Sequence, residues 1–258
     1  MTATPIREMK FDQLTVKVYE DNAGLGRAAA EAAAAILAEA IAQRGTANAI
    51  IATGNSQLSF LEAIRERSDV DWPAVTLFHM DEYLNLPPGH SAGFSNFLLR
   101  HLMNHVPVER FFPVPGHPSD IDAACRGYEL LLRAHPADLC CLGIGENGHL
   151  AFNEPEVADF DDPVWVKVVT LNPQSRRQQV GEGHYASLDE VPEQALSLTI
   201  PALRSANHLL CIVPESRKAQ AVYDTLFGPI TTDCPGSILR ESPNTLLLLD
   251  RDSAAKIL

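Results

Sequence analysis

Residues 138–155, Asp138-Leu-Cys-Cys-Leu-Gly-Ile-Gly-Glu-Asn-Gly-His-Leu-Ala-Phe-Asn-Glu-Pro155, decide the fold class. Asp138–Ile144 is a short apolar run, the pattern of a strand buried on both faces. Gly145–Glu154 turns glycyl and polar at once, as a chain does on leaving a sheet. Upstream the same alternation recurs. Leu14–Tyr19, Ala47–Ala52 and Val75–Met80 read as strands, and Gly24–Gln43, Leu58–Arg67, Phe94–Asn104 and Ile121–Arg133 as helices. Downstream, Trp165–Leu171, Ala195–Ile200, His208–Val213 and Thr245–Leu249 read as strands, with Ser216–Phe227 helical between the last two. Strand and helix in alternation predict an α/β fold, a mostly parallel sheet covered by helices on both faces. No repeat or linker interrupts it, so one domain over residues 1–258 is expected. The polar stretch Pro173–Glu190 is expected to be mobile, within a lid spanning about residues 156–190.

Composition narrows the function. Hydrophobic residues make up 46% and charged residues 21%, which excludes disordered and fibrous classes. Thirty-three acidic against 20 basic side chains give a net charge of −13, so nucleic acid is not an expected partner. The long apolar run Ala28–Ala42 carries Glu31 and Glu39, too polar to span a bilayer, and no membrane association is expected. The amino-terminal residues show no secretory apolar segment, which makes the cytoplasm the expected location. Cys125, Cys140, Cys141, Cys211 and Cys234 have no framework spacing, and Cys140, Cys141 and Cys211 read as core positions. No pair of Cys or His stands at ligand spacing, so no zinc site is expected; no metal and no other cofactor is expected.

In open parallel sheets, ligands bind beyond the carboxyl ends of the strands, which selects the loops Thr53–Gln57, Asp81–Ser95 and Gly145–Glu154. Thr53-Gly54-Asn55-Ser56 follows a strand and opens a helix. Its N–H groups and hydroxyls suit a phosphate, and equally a plain turn capped by Ser56. Asp81 and Glu82 end a strand. They are either a solvated strand end or, since successive side chains alternate, one general base facing the site and one carboxylate facing away. His149 follows three glycines that let a substrate approach, and it is the side chain that titrates near neutrality; Glu154 and Asn147 are placed to fix its tautomer. Lys218 opens a helix after a strand, as a solvated residue or as a phosphate cation. Arg176 and Arg177 form a second basic pair.

Taken together, the blocks ATGNSQ (52–57), FHMDEYLNLPPGHSAGFSNFLLRHL (78–102), DLCCLGIGENGHLAFNEP (138–155) and ALSLTIPALRSANHLLCIVPESRKAQAV (195–222) resemble the glucosamine-6-phosphate deaminase family, within the wider group that includes 6-phosphogluconolactonases. The resemblance covers almost the whole chain, and the MDEY and FNEP blocks favour the deaminases. It implies a Rossmann-like fold of the deaminase, ribose-5-phosphate isomerase and CoA-transferase type. It also implies aldose–ketose isomerisation of D-glucosamine 6-phosphate to D-fructose 6-phosphate with loss of ammonia, a hydrolase by net reaction. By the same resemblance, His149 opens the sugar ring, Asp81 moves the proton from C2 to C1, and Glu154 orients His149. Gly54, Asn55, Ser56 and Lys218 hold the phosphate.

Three positions depart from the family pattern. Asn147 replaces a common Asp, Gly54-Asn55-Ser56 replaces Gly-Gly-Thr, and the lid arginine for phosphate has Arg177 as its nearest candidate, ahead of Arg176. The acidic segment after Pro155 retains only Lys167 where hexameric members bind an allosteric sugar phosphate, so no such control is expected. Alternatives are a lactonase, an isomerase of another amino-sugar phosphate such as galactosamine 6-phosphate, and a sugar-phosphate sensor without turnover. The residues leave a homo-oligomer open.

Overall fold

Neighbouring Cys140 and Cys141 enter different cores: Cys140 packs with Phe78, Leu142 and Leu249, and Cys141 with Ile51, Leu139 and Ile212. That alternation marks a strand buried on both faces. The structure, a computed structural model, describes residues 3–258 except 88, 182 and 184 and the side chains of 174 and 178. The strands are β1 (Arg7–Phe11), β2 (Leu14–Tyr19), β3 (Ala47–Ile51), β4 (Val75–His79), β5 (Asp81–Tyr83), β6 (Arg110–Phe112), β7 (Leu139–Leu142), β8 (Val166–Thr170), β9 (Gln194–Leu198), β10 (His208–Val213) and β11 (Thr245–Asp250). The helices are α1 (Asn22–Arg44), α2 (Leu58–Arg65), α3 (Phe94–Leu98), α4 (Ile121–Ala134), α5 (Pro173–Gly181), α6 (Ile200–Arg204) and α7 (Ala219–Phe227).

Eight strands form the main sheet in the order β1-β2-β11-β10-β7-β3-β4-β6, parallel throughout except the edge hairpin β1–β2. Apolar residues of α1 and α2 cover one face; α4, α6 and α7 cover the other. The α1 helix starts where Asp21 Oδ1 accepts from Gly24 N at 2.6 Å and stops at left-handed Gly45, φ 79°. Its alanines and Gly26 permit a close crossing with α2, since a Cβ at Gly26 would lie 2.6 Å from the Ser59 carbonyl. Among the described residues, no helix is long and apolar enough to cross a membrane.

A second sheet departs from the expected single layer. β5, β9 and β8 pair antiparallel, with Leu198 N bonded to Met80 O at 2.8 Å where the two sheets meet. Apolar runs predict strands but not their partners, so two strands read as members of the main sheet belong here. Pro173–Glu190, expected as a mobile segment, contains α5 and a 3-10 turn at Leu188–Glu190. Tyr185 of this segment packs against Tyr83 and stacks on His90. β1 and β6 carry exposed or half-buried side chains, and the apolar part of β6 is only Phe111 and Phe112, too short to read as a strand.

Candidate active site

Loops at the carboxyl ends of β3, β4, β7 and β10 enclose a cavity of about 140 Å³. That is below the ~300–1,000 Å³ of drug-sized sites and suits a small polar metabolite rather than a dinucleotide. The three loops selected from the sequence all reach it.

Two of its walls are built alike. After β3, Gly54 takes φ 102°, ψ 165°, and a 3-10 turn Asn55–Gln57 leads into α2. After β10, Glu215 takes φ 82°, ψ 140°, and a 3-10 turn Ser216–Lys218 leads into α7. Thr53, Gly54, Asn55 and Ser56 line the cavity from the first turn, and Arg217 and Lys218 from the second. Backbone N–H groups at such helix starts favour an anion, and Lys218, 5% exposed, adds a cation in a nearly dry position.

Asp81 and Glu82 part company as the pleat requires. Asp81 lines the cavity. Burial, with the like charge of Glu82 as a second cause, pushes its pKa up to about 8. Glu82 turns the other way and accepts from Phe94 N at 3.0 Å, Ser95 N at 2.9 Å and Ser95 Oγ at 3.0 Å. It therefore fixes the start of α3 over the site.

The Gly145–Glu154 loop folds back on itself, with Gly145 N bonded to His149 O at 2.9 Å. The imidazole lies against Gly145, where a Cβ would fall 2.1 Å from His149 Cε1, so only glycine fits. His149 Nδ1 lies 2.8 Å from Asn147 Oδ1 and 3.2 Å from Glu154 Oε1. Asn147 Nδ2 donates to Glu154 Oε2, which pins the amide so that Oδ1 faces the ring. Both neighbours of Nδ1 are acceptors, so Nδ1 carries a proton, and in the neutral ring Nε2 is the acceptor. Burial works to raise the pKa of Glu154, but the hydrogen bond and charge of His149, helped by Asn147 and Ser175, outweigh it and hold it at about 2. With Asn at position 147, the negative charge beside His149 rests on Glu154.

Arg177 is exposed and is not among the residues that line the cavity. Arg176 donates to Leu188 O and Val191 O, both at 2.8 Å, and so ties its own segment together. The arginines at the cavity are Arg100 and Arg217. Arg217 pairs with Glu215 Oε2 at 2.6 Å and Glu146 Oε1 at 3.3 Å. Its signal was its place beside Lys218 in one turn. Ser175, whose hydroxyl donates to Glu154 Oε1, gave none, because a serine in a polar segment is commonplace.

A family described as glucosamine-6-phosphate isomerases/6-phosphogluconolactonase matches residues 20–248. The chain is 32% identical to the glucosamine-6-phosphate deaminase of Bacillus cereus (strain B4264) over 224 residues, 87% of this chain and 83% of that protein. It is 32% identical to that of Lactobacillus delbrueckii subsp. bulgaricus (strain ATCC BAA-365 / Lb-18) over 220 residues, 85% of this chain and 91% of that one. A solved monomeric glucosamine-6-phosphate deaminase superposes with a TM-score of 0.86 at 28% identity, covering 96% of this chain and 99% of its own. The 6-phosphogluconolactonase of Trypanosoma brucei shares the fold, with a TM-score of 0.75 at 16% identity over 98% of this chain and all of that one. The chain belongs to the glucosamine-6-phosphate isomerase/6-phosphogluconolactonase family.

Proposed function

We infer that the protein is a glucosamine-6-phosphate deaminase, converting D-glucosamine 6-phosphate and water to D-fructose 6-phosphate and ammonia. The observation that carries this reading is a buried carboxylate, Asp81, facing the same small cavity as the oriented imidazole of His149. In this reading the Thr53–Ser56 turn and Lys218, with Arg217 beside it, hold the 6-phosphate and bring C1 and C2 to Asp81. Such remote anchoring lets binding energy lower the barrier at the reacting atoms.

His149 Nε2 takes the proton of the anomeric hydroxyl and returns it to the ring oxygen, opening the pyranose. Asp81 removes the C2 proton to give the enolamine and delivers it to C1. The C2 ketimine then adds water and expels ammonia. Water enters only there, so hydrolysis describes the net balance and isomerisation the chemistry. As part of the same proposal the protein acts in the cytoplasm on small sugar phosphates and not on nucleic acid, which its charge of −13 repels.

Ammonia release from glucosamine 6-phosphate, with galactosamine 6-phosphate and 6-phosphogluconolactone assayed beside it, tests the reading. Release from the first sugar that is abolished in Asp81→Asn, while sugar-phosphate binding persists, is the expected result. Turnover of the lactone alone overturns it, and Asp81→Asn losing binding and rate equally removes Asp81 as the base.

A further inference from the structure

Of the two helix-opening turns at the cavity, the one after β10 puts a side-chain-bearing residue, Glu215, in a conformation suited to glycine. At φ 82°, ψ 140° the peptide relaxes unless its surroundings hold it. What holds it comes from the neighbouring strand. β10 and β11 run parallel with Val213 opposite Leu249, so Asp250 stands one place further on, where the chain after β10 leaves the sheet. Pro214 offers no N–H, and Glu215 supplies the first donor. Its N–H meets both Asp250 oxygens, Oδ1 at 3.2 Å and Oδ2 at 3.1 Å. Asp250 is itself fixed: Ser253 N donates to Oδ1 at 2.8 Å, Ser253 Oγ lies 3.2 Å from Asp250 N, and the residue is 4% exposed.

We propose that Asp250 is a positioning residue for the phosphate subsite, clamping the Glu215 peptide so that the Ser216–Lys218 turn presents its N–H groups and Lys218 to the substrate. The inference rests on the phosphate reading of that turn. Asp250 does not line the cavity, and Lys218 N closes the clamped turn on Glu215 O at 3.0 Å. The Glu215 side chain, through its ion pair, sets Arg217 from the same anchor. The role is geometric, because the charge of a carboxylate opposes a nearby phosphate. Coulomb's law and the clamp therefore give opposite signs when that charge is removed.

The test measures calorimetric affinity for inorganic phosphate and for fructose 6-phosphate, alongside KM and kcat, in the parent, Asp250→Asn, Asp250→Ala, Glu215→Gly and the double variant Glu215→Gly/Asp250→Ala. The expected result is about tenfold weaker binding and a matching rise in KM for Asp250→Ala, with kcat within about twofold. Asp250→Asn, which keeps one acceptor, weakens binding less. The double variant regains most of the affinity of Glu215→Gly, because glycine holds φ 82° without a clamp. Should Asp250→Ala fail to fold, Asp250→Asn decides by sign. Affinity unchanged or tightened in Asp250→Asn, or a double variant as weak as Asp250→Ala, overturns the clamp. A parent that binds fructose 6-phosphate but releases no ammonia removes the deaminase reading and leaves the clamp to the binding data. A parent that releases ammonia while Asp250→Ala binds normally removes the clamp alone, and a parent that binds neither ligand removes both.

Discussion

At the scale of single residues, the chemistry depends on two carboxyls driven in opposite directions. Burial and the adjacent Glu82 leave Asp81 reluctant to ionise, at about 8, and it must ionise to act as a base. Glu154, at about 2, is a standing negative charge at any working pH. The kcat/KM profile is therefore expected to rise with pH through about 8 as Asp81 loses its proton. Glu82→Gln removes the like charge and moves that limb to lower pH, while keeping an acceptor for the start of α3. A limb that stays in place in Glu82→Gln shows that another group governs it. The division of labour between Asp81 and Glu82 was legible in the sequence, because the pleat sends neighbours to opposite faces. The choice of which one faces the cavity was not, since it depends on where β5 docks on β9.

Elements carry the next layer. The Thr53–Ser56 turn could be read from glycine and hydroxyls, whereas the turn after β10 hid its likeness behind Glu215, a residue type that gives no hint of positive φ. The α5 helix was not legible at all. Nine residues, Pro173–Gly181, with little apolar patterning predict a loop, and the helix is held from outside by capping and docking. Asn172 Oδ1 accepts from Ser175 N at 2.8 Å, and the Ser175 hydroxyl reaches Glu154. That hydroxyl joins α5 to the His149 site. Ser175→Ala is expected to lower kcat/KM about tenfold, the effect of losing one buried hydrogen bond to a charged group. It also raises the pKa of Glu154, but from so low a value that the limb governed by Asp81 stays where it is. An unchanged kcat/KM in Ser175→Ala would show that the bond to Glu154 carries nothing in catalysis.

For the whole molecule, the alternation of strands and helices predicted the α/β class and the end of the sheet where the cavity lies. The second sheet escaped because strand direction and partner are settled by tertiary contacts, here by Leu198 bonding Met80 across the seam. The acidic segment after Pro155 bears on control. Lys167, the one basic residue retained there, donates to Val157 O and pairs with Asp162, both at 2.7 Å. It is engaged inside its own loop. Initial-rate curves for glucosamine 6-phosphate are therefore expected to be hyperbolic and unmoved by N-acetylglucosamine 6-phosphate. A several-fold activation by that compound defeats this prediction.

The aromatic packing of Tyr185 bears on how its own segment answers temperature. In the segment around α5, Tyr185 and Val180 share an apolar cluster with Tyr83, Phe152, Val169 and Phe94. Lifting it would wet those rings. Adhesion of that kind draws its free energy from solvent entropy and fades on cooling. Contacts of that kind are expected to weaken on cooling, and hydrogen exchange at Tyr185 and Ala186 that quickens in the cold checks it. An enzyme latched by ion pairs would not share that weakness.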